Sequence, residues 1–435
     1  MPSRARIPAM TRLPNVRRCA FVLAVLLAAA AAGVRAAPSS GAAGSLFTLE
    51  FWTISLKPDL TAHIEDVIRR YEAGHPAVRI KWIDVDLQVL DQKLLSAIAG
   101  GVGPDAVNLN TELTVRMAQE HALVDMDAAV PPEVQARYFP NIWASLRVDG
   151  RAYGVPWYVE PDVLAYNGAL FRRAGLDPRR PPATINDYIG DAVAIRRKTG
   201  LYGFMPNVDK IRMLTIFQEE GLPVLSPDRR RAVFNSPAHV ALLARYVDLF
   251  KHDMFPADTL RRGYLGATER YSAGQLGMLV IGPEFIQRVH SDGPEAYRDT
   301  LVAPMPLGHG RVVDLPTMDV AVPVQSRHRA EAVDFALFVT NDENQLAFSH
   351  VVVAFPSTRR AAADPYFTRP GTTAEDQARA TAARELGGAR DLTVVTPHSD
   401  ELFRIFQEAI ESAFFGRMTP QQALSWAARE WNRRL

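Results

Sequence analysis

Between Gly150 and Asn167 the chain reads GRAYGVPWYVEPDVLAYN, placing Trp157, Tyr158 and Glu160 between two prolines, Pro156 and Pro161. These residue types suit recognition: aromatic rings give a flat apolar face, and a carboxylate beside them accepts hydrogen bonds from a polar ligand. Two β-type runs, Ala152 to Val155 and Val163 to Tyr166, flank the segment. The prolines remove ladder donors and fix φ, so the segment is not expected to be the middle of one regular strand. A bend between two blocks of structure, offering Trp157, Tyr158 and Glu160 to a cleft, fits these residues. So does a proline-rich connection with Trp157 packed as core.

Groupings that would do covalent chemistry do not emerge. The ten His are scattered, with no H-E-x-x-H, no G-x-S-x-G, no Walker loop and no metal-ligand spacing. No pair of Asp or Glu is placed by spacing into acid and nucleophile roles, which leaves a secreted glycoside hydrolase as a poor alternative. The single cysteine, Cys19, lies in the expected leader, so the mature chain has no disulfide, thiol nucleophile or cysteine-held metal. No cofactor or metal is expected.

That leader comprises a basic region with Arg4, Arg6, Arg12, Arg17 and Arg18, then an apolar stretch from Ala20 to Ala32. Val34 and Ala36 supply the small residues before a cleavage site, predicting a cut after Ala36 and a periplasmic destination. Arg17-Arg18 leaves the route, general or twin-arginine, open. The full chain carries 49 Lys+Arg against 48 Asp+Glu. Six of those Arg and no acid fall in residues 1–36, so the mature chain is −5, which disfavours nucleic acid as a partner. A mature length of about 400 residues, with 48% of the chain hydrophobic, predicts two or more domains after a short tether at 37–44.

The elements that must position these side chains alternate. Thr48 to Trp52 reads as a strand, and Leu60, Ile64, Val67, Ile68 and Tyr71 as one face of a helix ending at Gly74. Val78, Ile80 and Trp82 alternate as a second strand, and Leu87, Leu90, Leu94 and Ile98 form the next helix. Ala106 to Leu109 is a third strand before a helix with Leu113 and Met117. This β-α-β-α-β order predicts a largely parallel sheet, with ligands beyond its carboxyl ends, where Trp52, Asn110 and Glu112 stand. Later, Thr184 with Asp187 opens a helix, and Ser236-Pro237 opens another with Val240, Ala244 and Val247 inward. Leu276 to Ile281 and Val320 to Val322 read as strands, the second followed by a helix over Ala330 to Val339. Asp364 to Arg390 reads as a loop, and Thr419-Pro420 opens a last helix carrying Trp426 and Trp431. Trp82, Trp143, Trp426 and Trp431 are assigned to packing, and Arg229 to Arg231 to a solvated turn.

With these elements in order, the chain resembles the family 1 extracellular solute-binding proteins, the maltose-binding-protein-like receptors of carbohydrate ABC importers. The resemblance spans nearly all of the mature chain. It rests on Gly100-Gly101 to Pro104-Asp105, Tyr153-Gly154-Val155-Pro156, Tyr166-Asn167, Phe171 and Ala174-Gly175-Leu176. It continues through Pro182-Ala183-Thr184, Tyr202-Gly203-Phe204, Ser272-Ala273-Gly274, Met278, Gly282-Pro283 and Thr419 to Leu424. It implies an α/β, two-lobed periplasmic-binding-protein fold of type II, with hinge-connected lobes of discontinuous chain. The first lobe would be 45–158 with 313–356, the second 162–303 with 357–435, and the crossings 159–161 and 304–312.

The function so implied is capture of a mono- to small oligosaccharide between the lobes by a monomeric receptor, and delivery to permease subunits in the inner membrane. Trp157 and Tyr158 would stack on sugar, which favours the cleft over the core for Trp157, and Glu160 matches the family's acidic position at the crossing. Trp52, Asn110 and Glu112 would serve from the first lobe; Asn207, Glu284 and Phe285 from the second; Asp319 is a further candidate. Many relatives carry Trp where Glu284 follows Gly282-Pro283, a departure that puts a long oligosaccharide in doubt. Glu160 alternatively pairs with an Arg at the hinge, and Glu112 alternatively serves as a helix-start carboxylate. Glu160, Glu284 and Asp319 meeting in one cleft without an Arg would instead favour a polyamine. A glycerophosphate receptor is the other alternative on the same fold.

Overall fold

A computed structural model describes residues 46–208, 212–369, 371–396 and 398–435, without the side chains of Leu87, Gln88 and Glu284. The expected leader, its cleavage after Ala36 and the tether lie outside the described residues. The described residues form eleven strands: β1 Phe47–Ile54, β2 Val78–Val85, β3 Ala106–Asn110, β4 Arg147–Val148, β5 Arg151–Ala152, β6 Val155–Val159, β7 Val163–Asn167, β8 Met278–Ile281, β9 Thr300–Ala303, β10 Thr317–Ala321 and β11 Phe355–Pro356.

Six strands form one sheet in the order β11-β6-β10-β3-β1-β2. As the alternating pattern predicts, β1 pairs in parallel with β2 and β3. The expectation of a largely parallel sheet fails beyond that point, because β10 runs antiparallel to both β3 and β6, and β11 antiparallel to β6. β10 comes back to the sheet by way of the second sheet, and β11 follows β10 through helices Arg329–Val339 and Asp342–Val351 to lie on the other side of β6. Neither strand therefore reaches β6 by a direct β-α-β crossover that would force the parallel sense. Both faces are covered. Leu49 and Phe51 of β1 join the core that includes Ile64, Val67 and Tyr71 of helix Thr61–Gly74 and Phe335 of helix Arg329–Val339. Trp52 and Ile54, pointing the other way, join Leu90 and Leu94 of helix Leu87–Ala99 and Leu113 and Met117 of helix Thr111–Gln119.

A second sheet, β8-β7-β9, is antiparallel throughout and has only three strands. Its helices supply most of that core: Phe217 of helix Arg212–Glu219, Phe406 of Ser399–Phe414 and Trp431 of Pro420–Asn432 gather around Phe234. Thr184 and Thr419 begin their helices with full capping boxes, closed by Asp187 and Gln422. The helix opened by Pro237 buries His239, Leu243, Tyr246 and Val247, a face rotated from the expected Val240 and Ala244. The stretch read as a loop contains helices Pro365–Thr368 and Ala374–Glu385. Thr373 caps the second of these, and alanine, the best helix former, supplies its buried Ala378, Ala380 and Ala382. No described helix is long and apolar enough to cross a membrane.

Gly203, in the Tyr202-Gly203-Phe204 motif, shows what such a motif is for. A Cβ placed there would lie 2.2 Å from the backbone oxygen of Ala192, so helix Ile185–Thr199 touches this backbone directly. Gly203→Ala is expected to destabilise the protein by about 3 kcal/mol, because a backbone contact cannot relax as a side chain can. A thermal melt of the variant within a degree of the parent would refute this.

Candidate functional site

The chain passes from the six-stranded sheet to the three-stranded one through Glu160, Pro161 and Asp162, between β6 and β7. It returns between β9 and β10, and the two passages touch, since Glu160 N–H donates to Pro316 O at 3.2 Å. A third segment lies along the return: Leu315 N–H donates to Arg390 O at 2.9 Å and Arg390 N–H to Val313 O at 3.0 Å. Three carboxylates fasten the junction. Asp391 Oδ2 accepts from the Thr111 hydroxyl at 2.5 Å and from Thr317 N–H at 3.1 Å. Asp314 accepts from Leu392 N–H at 3.0 Å and from Arg212 at 3.2 Å. Arg212 also lies 3.6 Å from Asp162, so one guanidinium on helix Arg212–Glu219 ties the outgoing passage to the returning one.

Beside this junction a cavity of about 90 Å³ opens under the second sheet, lined by Asp162, Tyr188, Asn207, Arg212, Glu219, Tyr246 and Tyr264, with Leu279 and Met305 at its apolar side. That is space for about half a dozen water molecules. Arg212 and Glu219, seven residues apart, share a helix face and reach the cavity together. Tyr264 donates no freedom to its neighbour Gly282: its hydroxyl oxygen accepts Gly282 N–H at 3.0 Å, and its ring meets Phe285 edge-on at 5.0 Å. Burial pushes Asp314 up to about 6 against the pull of Arg212. Burial and then the charge of Asp314 push Glu219 to about 8. Burial likewise raises Asp162, with Arg212 opposing. Carboxylates, one guanidinium and phenol hydroxyls around a small cavity can fix a polyhydroxylated or charged small molecule by hydrogen bonds. Among the described residues no group of His, Cys, Asp and Glu is positioned to hold a metal ion.

Comparison with known proteins fits this architecture. The family model for bacterial extracellular solute-binding proteins matches residues 56–346. The chain belongs to the bacterial extracellular solute-binding protein family. A solved structure of a periplasmic-binding protein from Synechococcus sp. MITs9220, provisionally assigned to oligosaccharides, is 30% identical with a TM-score of 0.79, covering 88% of this chain and 98% of that one. The cyclic alpha-maltosyl-1,6-maltose binding protein of Arthrobacter globiformis has the same fold, with a TM-score of 0.76 at 19% identity, over 89% of this chain and 99% of the other. The galactooligosaccharide-binding protein of Bacillus subtilis (strain 168) is 22% identical, over 93% of each chain. The fold of this solute-binding protein is therefore the two-lobed, type II periplasmic-binding-protein fold that the family resemblance implies.

The structure redistributes the residues singled out from the sequence. Trp157 is 1% exposed, enclosed by Phe51, Tyr158 and Phe348 with ring centroids 6.5, 5.4 and 5.2 Å away, and belongs to the core. Tyr158 packs into the same cluster, 4.9 Å from Phe348. A β-bulge explains both: Pro156 pairs with Asp319 and Tyr158 with Met318, leaving Trp157 as the extra residue, so two consecutive rings reach the same core. The bulge also explains why Pro156 is tolerated inside a strand. Trp52 is 4% exposed in the first sheet's other core, its indole N–H donating to Glu50 at 2.6 Å. Asp319 is fully buried, accepting from the Thr114 hydroxyl at 2.6 Å in room left by Gly154. All four are buried within the first sheet's interior and none lines the cavity, so Asp319 is not placed to join Glu160 in a polyamine site.

The remaining candidates lie nearer the junction. Glu160 is exposed at the crossing, with no ion pair to an Arg among the described residues. Asn110 caps helix Thr111–Gln119, its side-chain oxygen accepting Leu113 N–H at 2.9 Å, and Glu112 sits in that first turn, its carboxyl raised by burial. Both therefore have a helix-start role without any ligand. Asn207 lines the cavity, and Phe285 stands behind Tyr264. Glu284 begins helix Glu284–Asp292, but its side chain lies outside the described residues. Sequence reasoning missed Asp162, Arg212, Glu219, Tyr246 and Tyr264. The i, i+7 spacing of Arg212 and Glu219 on one amphipathic helix was the available signal.

Proposed function

We propose that this protein is a periplasmic receptor of an ABC importer, which captures a carbohydrate at the junction between its lobes and hands it to a membrane permease. The observation that carries the reading is the cavity beside the double crossing, where tyrosines, a paired guanidinium and carboxylates from several parts of the chain converge. Sugar receptors need this mixture of ring surface and acceptors. Relatives named for galactooligosaccharides and cyclic maltosyl-maltose support the ligand class. The lobes would be 45–158 with 313–356 and 162–303 with 357–435, a leader would be cut after Ala36, and the mature chain would act as a monomer without catalysis or cofactor. Closure follows if ligand touches both lobes, since only a state-dependent contact shifts the equilibrium. Glu160, Glu112, Asn207 and Phe285 remain proposed contributors.

A sn-glycerol-3-phosphate-binding relative, 23% identical over 91% of this chain, raises a phosphate ligand. The cavity argues against it, because Arg212, the one cationic side chain among its described lining residues, already faces Asp162 and Asp314. Thermal shift of the mature chain against mono- and disaccharides, glycerol phosphates and polyamines tests the proposal. A cognate sugar at a hundred times its dissociation constant adds about 2.7 kcal/mol and raises the melting temperature visibly. A response to glycerol phosphate alone would overturn it.

A further inference from the structure

The groups in the second-lobe cavity are unequal in what they lack. Arg212 has Asp162 at 3.6 Å and Asp314 at 3.2 Å. The Glu219 carboxylate, on the same helix face, makes no hydrogen bond or ion pair with any described residue, although it lines the cavity. Asn207 Oδ1 is buried there without a hydrogen-bond partner among the described residues. Tyr188 and Tyr246 are only 8% and 4% exposed, line the same space, and their hydroxyls form no hydrogen bond with described residues. The unmet capacity is thus a carboxyl, an amide oxygen that can only accept, and two phenol hydroxyls that each donate and accept. A neutral sugar hydroxyl brings one donor, whereas an ammonium brings three donors, no acceptor and a positive charge.

Resting on the carbohydrate-receptor reading, we propose that this cavity is a subsite for the protonated amine of an amino sugar, with Glu219 as its counter-ion and Asn207, Tyr188 and Tyr246 as hydrogen-bond partners. Arg212 eases the charging of Glu219 only in part, since burial still dominates, and a charge-assisted bond to ammonium offsets the remaining penalty. Burial holds the Glu219 carboxyl at about 8, so the empty cavity does not sustain the charge by itself. The small volume, about 90 Å³, fits a compact exocyclic group with part of its ring.

Calorimetry at pH 7 on the mature protein would compare matched ligands: glucose with glucosamine, galactose with galactosamine, and cellobiose with the chitosan disaccharide, each beside its N-acetylated form. The amino member of at least one pair should bind tenfold or more tightly than its hydroxyl and acetylated counterparts. Glu219→Gln, nearly isosteric, should reduce that preference to within about twofold, and Tyr246→Phe should weaken it severalfold. Equal or tighter binding of the neutral member, or an undiminished preference in Glu219→Gln, would overturn the amine subsite while leaving a sugar receptor. Binding of spermidine but of no amino sugar would overturn both, and so would silence across every sugar.

Discussion

Trp157→Ala is expected to lower the unfolding free energy by about 3–5 kcal/mol, the range for truncating a large buried aromatic. The ring fills the middle of a cluster built from Phe51 of β1, Tyr158 of β6 and Phe348 of helix Asp342–Val351, and no ligand-facing surface remains to it. Truncation would leave a cavity that three elements cannot close together, because β6 is held between β10 and β11. Denaturant titration should therefore show a lower midpoint with the slope preserved. Any loss of sugar affinity should follow the loss of folded protein, and a low temperature that restores folding should restore binding. An unshifted midpoint with abolished binding would return Trp157 to the ligand.

Arg212→Ala carries the second large effect. It removes the one guanidinium placed between Asp162 and Asp314, leaving two partly buried carboxylates facing each other across the chain crossings. Removing one partner from a buried pair leaves its counter-charge uncompensated; discounted for the partial exposure of this triad, about 2–3 kcal/mol is expected. The effect depends on pH. Asp314 and Glu219 are already raised, to about 6 and about 8, so the folded state holds protons more tightly than an unfolded chain does. The stability these two groups supply is full below the ordinary carboxylate range and is lost as pH rises through 6 and then 8. Arg212 pulls both values down, so its removal deepens the loss on the alkaline side. Denaturation at pH 5 and pH 8.5 should show the variant nearly matched to the parent at the lower pH and clearly weaker at the higher. A deficit that is the same at both would place Arg212 outside this network.

Much of the architecture is legible in local pattern. Thr184 with Asp187, and Thr419 with Gln422, are start signals whose physics is complete within four residues, and both form capping boxes. The alternation Val78, Ile80, Trp82 and the helix stripe Ile64, Val67, Tyr71 locate elements in the same way. Orientation was harder, because strand parity reverses with a single inserted residue. The bulge at Trp157 does this, and sends two neighbouring aromatics into one core where regular alternation would have separated them. Asp319 was misjudged for a related reason: nothing local reveals that Gly154, far away in sequence, leaves space for its carboxylate inside the sheet.

By itself, then, the sequence determined the alternating elements and the proline-marked crossing at Glu160 to Asp162, since caps, periodicity and turn chemistry act over a few residues, while the two-lobed class followed from the family resemblance of its ordered motifs. Only the tertiary structure decided which side chains meet at the site. Asp162, Tyr188, Asn207, Arg212, Glu219 and Tyr246 come from a crossing and several helices, and converge where the passages between two sheets lie side by side. Their meeting, and the raised carboxyls that result from it, are properties of burial and distance, which exist once the chain has folded and leave no local pattern to read.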